Sequence, residues 1–335
     1  MNKNTKIIIL VLIVFLGVFL GVFIYRKTDI KDYVGQKKNE RLENDVIATV
    51  ADRNVSEAEA RVYLAAMKSQ IESIYGDAVW NYTVDDEGTR YSELMKDSVL
   101  DKIIYIKLVC ANAEEYGVTL TADDKLDVDK YVTEFFAGIS EETADEYDLT
   151  KEMVTKIYEE NVLAAKVYDK ITLNYTVDAN EENCRQGKFV IFKINKFTET
   201  DGKKEYLSED ELIQVKNRAE GVCSAMKAGN PYQVASGNSD NAVDEPRVLC
   251  GKDYFPVEIA DTVFTLKDGE ITQVLEDEDS YYVVYCENDF DEQATKEAIQ
   301  KKITDDRKAY FNSLYTKWRD SANIEVDEDK WSKID

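Results

Sequence analysis

The 335-residue sequence contains no histidine, and this absence decides which chemistry its side chains could perform. Without imidazole, neither a Ser-His-Asp triad nor a Cys-His pair can form, and a histidine general base is excluded. Zinc sites with imidazole ligands are excluded for the same reason. Chemistry that depends on carboxylates, lysine or tyrosine remains open.

Acidic side chains at two places could suggest a metal site. Asp127 and Asp129 have the spacing of the first two ligands of a calcium loop, but Tyr131 stands at the third ligand position and the sixth position is not glycine. The acidic run at residues 276–279 is more typical of a solvated hairpin turn. No glycine-rich phosphate-binding loop occurs in the sequence. We therefore predict no metal ion and no cofactor.

The cysteines are five in number, so at least one is unpaired within the chain: Cys110, Cys184, Cys223, Cys250 and Cys286. Cys110 lies on the apolar face of a predicted helix, which favours a place in the core. A disulfide among the last three stays open, since it depends on whether the compartment is oxidising.

Composition indicates a folded, largely helical protein. Hydrophobic residues make up 44% of the chain, which is enough for real cores, and only 3 prolines and 14 glycines interrupt it. The net charge of −25 disfavours nucleic acid as a partner, because phosphates attract lysine and arginine. The same charge would keep a protein soluble while it contacts aggregation-prone polypeptides.

The N-terminal segment predicts a membrane anchor. The apolar run from Ile7 to Ile24 would be about 27 Å long as a helix, close to the thickness of a bilayer core. No small-residue cleavage site follows it, so we expect an uncleaved anchor. Residues 1–27 are assigned to a cytoplasmic tip and this transmembrane anchor, and residues 28–44 to a polar linker.

The remaining sequence predicts helices that flank a compact insert. Ser56 with Glu59 forms a capping box at the start of one helix, and a second helix is expected from Tyr91 to Tyr116. The β-branched and aromatic run at residues 188–194 predicts a central strand. Short strands are expected near residues 247–250, 271–275 and 281–286. A long helix is expected from Glu292, with Tyr310 and Trp318 on its apolar side.

Four stretches resemble the SurA/PrsA family of chaperones. Residues 47–56 (IATVADRNVS) and 100–118 resemble the first strand, turn and helices of the family's N-terminal domain. Residues 229–236 (GNPYQVAS) and 259–271 (IADTVFTLKDGEI) resemble a diverged parvulin rotamase domain. The resemblance implies an α+β fold with a single N-terminal transmembrane anchor. It further implies a helical chaperone lobe at residues 45–185, a parvulin-like domain at 186–288, and a C-terminal helix at 289–335 that packs back on the lobe.

The resemblance also locates candidate site residues. The two histidines of the parvulin pocket fall on Phe189 and Tyr282, and the neighbouring cysteine or aspartate falls near Asp240 and Asn241. The apolar lining of the proline pocket falls on three residues, which we predict as substrate-binding positions: Phe255, Ile259 and Phe264. Loss of both histidines implies little or no prolyl isomerase activity.

The predicted function is therefore a membrane-anchored chaperone, with its body outside the cytoplasm, that binds unfolded secreted polypeptides and could form a homodimer. One alternative is a peptidyl-prolyl isomerase with a pocket built around Tyr282 and Asp240. A second alternative is a structural adaptor in secretion or cell-wall assembly.

Overall fold

The computed structural model describes residues 45–85, 88–146, 149–200, 202–238 and 245–334. The helices of this part, numbered along the chain, are α1 (Glu57–Tyr75), α2 (Tyr91–Ala111), α3 (Ala122–Gly138), α4 (Glu141–Glu146), α5 (Lys151–Asn174), α6 (Glu209–Ala228), α7 (Pro231–Asn238), α8 (Val257–Val263), α9 (Glu292–Ser321) and α10 (Glu328–Lys333). The strands are β1 (Val46–Val50), β2 (Arg53–Ser56), β3 (Gln186–Asn195), β4 (Phe197–Thr200), β5 (Lys203–Tyr206), β6 (Arg247–Gly251), β7 (Leu275–Glu276), β8 (Ser280–Asn288) and β9 (Ile324–Val326).

The chain forms two compact units. Among the described residues, the first unit combines Asp45–Tyr175 with Lys308–Ile334, and the second unit lies within Thr176–Arg307. Helix α9 therefore contributes its first half to the second unit and its second half to the first. The domain boundaries predicted at residues 185 and 288 stay predictions.

The first unit joins the two ends of its chain in one small sheet. Strand β1 pairs antiparallel with β2 through a tight turn in which Ala51 has a positive φ of 54°, and β9 pairs with the other side of β1. Ser56 caps α1, since its hydroxyl accepts a hydrogen bond from the Glu59 amide at 3.1 Å. The apolar faces of α1, α2, α3 and α5 bury one core, which Trp331 of α10 completes.

The second half of α9 packs on helices of the same unit. Phe311 is buried, and its ring lies 4.8 Å from that of Tyr168 on α5 and 6.2 Å from that of Tyr105 on α2. Such tilted or edge-on pairs stabilise the contact beyond the burial of their area alone.

The second unit is a four-stranded sheet with helices on both faces, in the strand order β6-β3-β8-β7. Successive side chains of a strand point to opposite faces, so β3 supplies two cores. Val190, Phe192 and Ile194 pack against α6 and α7, whereas Phe189 faces α8. A separate hairpin, β4–β5, extends from the end of β3.

The α+β class fits this architecture, but the fold prediction needs a correction at its membrane anchor. Within the residues that the structure describes, no helix has the length and apolar character needed to cross a membrane. The run from Ile7 to Ile24 itself lies outside those residues. The fold class that the described residues support is α+β alone, and the predicted anchor is not part of it.

Candidate functional site

The candidate site lies on the α8 side of the sheet in the second unit. Strand β3 places Phe189 between two neighbours, opposite Val248 on β6 and Cys286 on β8. Because Phe189 is paired on both sides, its side chain projects from the interior of the sheet and not from an edge. Helix α8, with Ile259 and Val263, covers this position.

Three phenylalanines meet there, and we call Phe189, Phe255 and Phe264 the phenylalanine cluster. The ring centroid of Phe189 lies 5.6 Å from that of Phe255 and 5.4 Å from that of Phe264, and the latter two are 6.2 Å apart. Phe189 is 0% exposed and Phe255 only 6%. The cluster is therefore packed as a core and leaves no open cavity at Phe189.

Gly187 shows how closely the Phe189 ring is held. A Cβ atom built on Gly187 would lie 2.8 Å from two carbons of that ring, and 3.1 Å from the carbonyl oxygen of Asn288. Any larger residue at this position would have to displace the ring or the neighbouring strand. The aromatic side chain at 189 is thus accommodated by a glycine two residues before it.

Tyr282, on β8, is buried in the same core cluster as Phe189 and Ile259. Its hydroxyl donates a hydrogen bond to Oδ2 of Asp277 at 2.9 Å. Burial raises the pKa of this hydroxyl, and the bond to the Asp277 carboxylate raises it further. Tyr282 is therefore neutral near pH 7, and its hydrogen is already engaged by Asp277.

The structure brings together all but two of the predicted site residues. Phe189, Tyr282, Phe255 and Ile259 share one core cluster, and Phe264 packs against it. Asp240 and Asn241 lie outside the described residues. The substrate-binding role predicted for Phe255, Ile259 and Phe264 stays a prediction, and their burial gives the described part of the site an apolar character.

The cysteines are free thiols, and all five are buried. Burial raises the pKa of Cys250 to about 12 and that of Cys286 to about 11. Since the thiolate is the reactive form, neither thiol beside the phenylalanine cluster is activated as a nucleophile. Among the described residues, no group of three or more cysteine, aspartate or glutamate side chains could hold a metal ion.

A groove of about 980 Å³ adjoins the cluster within the second unit. Phe255, Val257, Ala260 and Ala298 give it an apolar floor. Its rim carries three lysine–aspartate ion pairs, Lys252 with Asp261, Lys301 with Asp305, and Lys302 with Asp306. Sequence patterns do not reveal this groove, because its walls come from three separate segments of the chain, residues 183–186, 251–261 and 298–306.

The first unit exposes apolar side chains at the end of α1 and in the segment that leads to α2. Ile74, Tyr75 and Tyr82 are each more than 60% exposed. Trp80 holds this stretch in place, since its Nε1 donates a hydrogen bond to Oε1 of Glu72 at 2.7 Å and its ring contacts that of Tyr91. We call residues 74–84 the exposed apolar stretch.

Comparison with known proteins relates the chain to one group. Residues 1–132 match the family model of the SurA-like N-terminal domain. The chain is 24% identical, over 285 residues, to the foldase protein PrsA of Caldanaerobacter subterraneus subsp. tengcongensis, and the match covers 81% of this chain and 83% of that protein.

Two solved PrsA structures are similar to the chain at lower identity. The foldase PrsA of Lactococcus lactis is 16% identical with a TM-score of 0.35, and the match covers 87% of this chain and 98% of that one. The peptidylprolyl isomerase PrsA of Bacillus cereus is 12% identical with a TM-score of 0.36, covering 88% and 99%. The resemblance to SurA/PrsA foldases predicted from the sequence is confirmed by the family model and the curated relative.

Proposed function

We propose that this PrsA/SurA-like chain is a folding chaperone that holds unfolded polypeptides and does not catalyse prolyl isomerisation. The observation that supports the lack of prolyl isomerisation is the burial of Phe189 between Phe255 and Phe264. According to the family resemblance, position 189 corresponds to the first histidine of the parvulin pocket. Here it is an apolar ring that closes the space.

Isomerisation of a peptide bond has a barrier of ~18–20 kcal/mol, which an enzyme lowers by holding the twisted bond in a shaped, hydrogen-bonding pocket. The phenylalanine cluster offers neither the space nor donors at Phe189. Tyr282 could supply one hydrogen bond, but its hydroxyl already donates to Asp277. A net hydrogen bond contributes only ~0.5–1.5 kcal/mol, so Tyr282 alone would make at best a weak catalyst.

Client binding is supported by exposed apolar side chains on an acidic protein. The exposed apolar stretch offers aromatic and aliphatic side chains to the unfolded segments of other proteins. A net charge of −25 would keep the chaperone and its bound client soluble. We place this activity outside the cytoplasm, on secreted polypeptides, as the resemblance implies; a homodimer stays a prediction.

The chain should not accelerate cis–trans exchange of X-Pro peptides, measured by NMR exchange at high protein concentration. It should, in the same buffer, suppress the aggregation of a denatured client protein after dilution. Acceleration that disappears in Tyr282→Phe would contradict this proposal and favour the alternative of an isomerase built around Tyr282. Absence of both activities would contradict the chaperone as well.

Changing the exposed apolar stretch should weaken chaperoning without unfolding the chain. Tyr75→Ser combined with Tyr82→Ser removes two side chains that are 68% and 67% exposed, so we expect several-fold weaker suppression of aggregation at an unchanged unfolding midpoint. The matched control is Leu126→Ser on α3, which is 66% exposed and lies outside the stretch. Equal loss in the control would show that general surface stickiness, not this stretch, holds clients.

A further inference from the structure

Strand β6 forms one edge of the sheet in the second unit. The Ile191 amide donates to the carbonyl of Pro246 at 2.9 Å, which fixes the hydrogen-bonded pairs of the β3–β6 ladder. These pairs alternate in antiparallel strands, so Val248 and Cys250 bond to β3, whereas Arg247 and Leu249 direct their backbone groups outward. The Arg247 amide is satisfied by Oε1 of Glu245 at 3.0 Å. The amide and carbonyl of Leu249, which pairs with Lys188 in the register, therefore face away from β3.

The usual protections of an edge strand are missing at the centre of β6. Natural edges carry a lysine, a proline or a bulge that blocks further pairing. Here the central residue is Leu249, which is 50% exposed. The one charged residue of the strand, Arg247, is engaged by the carboxylate of Glu287 at 2.7 and 2.8 Å. An exposed apolar side chain with outward backbone groups suits the addition of another strand.

The groove described above begins where β6 ends. Gly251 and Lys252 line it, and its apolar floor includes Val257, which is 87% exposed. A chain lying along β6 and continuing past Gly251 would enter this groove. Tyr254, which is 54% exposed, follows β6 on the connecting turn.

Charge indicates what kind of segment would be favoured. The second unit contains sixteen lysine and arginine residues against twenty-nine aspartate and glutamate residues, a net charge of −13. Near the edge, Glu245, Asp253 and Glu258 add carboxylates. Opposite charge steers and strengthens association, so a basic segment suits this surface better than an acidic one.

We propose that the outer edge of β6 takes an extended client segment as an added strand, and that the favoured segments alternate apolar with basic residues. This inference rests on the proposed chaperone function and names the class of client segment for one of its surfaces. Backbone hydrogen bonds at Leu249 supply the pairing, and the apolar side chains of the segment lie against the exposed side chain of Leu249.

The test uses the full chain and three labelled peptides of equal length, followed by fluorescence anisotropy at low salt. The first peptide alternates valine and lysine, the second alternates valine and glutamate, and the third is the first with alternate backbone amides methylated. We expect the valine–lysine peptide to bind about tenfold or more tightly than the valine–glutamate peptide. The methylated peptide should lose that binding, because its amides cannot pair with an edge.

Leu249→Lys should weaken binding of the valine–lysine peptide by about tenfold, because lysine blocks an edge and repels the probe. The matched control is Ile213→Lys, a change of the same charge at a 59% exposed position on α6 of the same unit, which should have no effect. Binding of the methylated peptide at full strength, or full binding by Leu249→Lys, would overturn the proposal. If the unmodified chain suppresses aggregation but one of these two contrary results is found, the strand-addition proposal is wrong and the chaperone function stands. If peptides bind as expected without suppression, the chaperone function fails.

Discussion

Replacing Lys107 by methionine should lower the free energy of unfolding of the first unit by about 3–5 kcal/mol, because it leaves buried carboxylates without their cation. The Lys107 side chain is 0% exposed, and its Nζ lies 2.6 Å from Oε1 of Glu59 and 2.6 Å from Oε2 of Glu160. Both carboxylates are themselves almost fully buried. Arg53, at 3.5 Å from Glu160, is half-exposed and replaces little of the lost charge.

The pH dependence of this loss has a definite sign. Burial lowers the pKa of Lys107, but the attraction of Glu59 and Glu160 outweighs it and leaves that pKa raised. The contribution of Lys107 is therefore fully present below the ordinary lysine value of ~10.4, and is lost only as the pH rises through the raised value. Burial already raises the pKa of Glu59, although Lys107 acts against the shift.

Without Lys107, the Glu59 carboxylate keeps the repulsion of Glu160 and loses its nearest cation, so the pKa of Glu59 in the folded state rises further above its ordinary value. The folded variant then binds more protons than the unfolded chain, so its stability rises as the pH falls from 8 towards 5. The difference between the original chain and Lys107→Met should shrink over this range. Urea unfolding followed by tryptophan fluorescence measures it, because Trp80, Trp318 and Trp331 all belong to the first unit.

Lys102→Met is the matched control, since it makes the same change on the same helix. Lys102 is 3% exposed, and burial lowers its pKa to about 8. No carboxylate of the described residues forms an ion pair with it; its ammonium lies 5.3 Å from the centre of the Tyr105 ring. Its charge opposes folding near pH 7, so this variant should be as stable as the original chain or more stable. A loss below about 1 kcal/mol for Lys107→Met would contradict the role given to its ion pairs.

Local signals in the sequence predicted most elements well. Ser56 caps the start of α1 as predicted, although the Glu59 carboxylate of the predicted capping box binds Lys107. The apolar run at residues 188–194 lies within β3. The helix expected from Tyr91 to Tyr116 ends instead at Ala111. The Asn112 side chain donates to the carbonyl of Leu108 at 2.8 Å, and a turn leads on to Gly117 with a φ of 63°. The helix thus ends early because the Asn112 side chain competes with the backbone for the Leu108 carbonyl, which apolar periodicity does not reveal.

Contacts between distant parts of the chain could not be predicted in the same way. Pairing of β9 with β1 joins residues more than 270 positions apart, and no local pattern marks residues 324–326 as a partner. The strand expected at residues 271–275 is reduced to a bridge from Ile271 to Tyr285 and the short β7. Between them the regular backbone ladder is interrupted, because the Val284 amide donates to the side-chain hydroxyl of Thr272. For the buried ion pairs one signal existed. Lys107 is the one charged residue of the run at residues 103–111 of α2, where an opposite charge stabilises a fully buried lysine.

For the candidate site, Phe189 and Tyr282, which the resemblance assigned to one pocket, lie in one core cluster. The sequence did not show how the space between them would be filled. Whether an aromatic ring lies in a pocket or closes it depends on neighbours from other elements. Phe255 precedes α8, Phe264 follows it, and Gly187 makes room on β3. The hydrogen bond from Tyr282 to Asp277 depends on a tight turn of the β7–β8 hairpin, where Asp277 also accepts from the Ser280 amide at 2.7 Å.

Phe189→Ala should destabilise the second unit by about 3–5 kcal/mol, the range typical of removing a fully buried phenylalanine. The ring is 0% exposed and contacts Phe255 edge-on at 5.6 Å and Phe264 at 5.4 Å, so its removal forfeits packing on both sides and leaves a cavity. Amide hydrogen exchange of β3 and β8 measures this loss directly. Tryptophan fluorescence reports the first unit separately, because the second unit contains no tryptophan.

The control for this prediction is Phe290→Ala in the same unit. Phe290 is 37% exposed, so its loss should cost less than about 1–2 kcal/mol. A second measurement distinguishes a packed core from a client pocket: benzene or indole should bind Phe189→Ala and restore protection of β3 and β8, since dry apolar cavities accept small apolar molecules. If Phe189 instead lined an open pocket, Phe189→Ala would exchange nearly as slowly as the original chain and would bind proline peptides more tightly. That outcome would return the second unit to the class of substrate-binding rotamase domains, and the proposal of a closed, non-catalytic fold would have to be withdrawn.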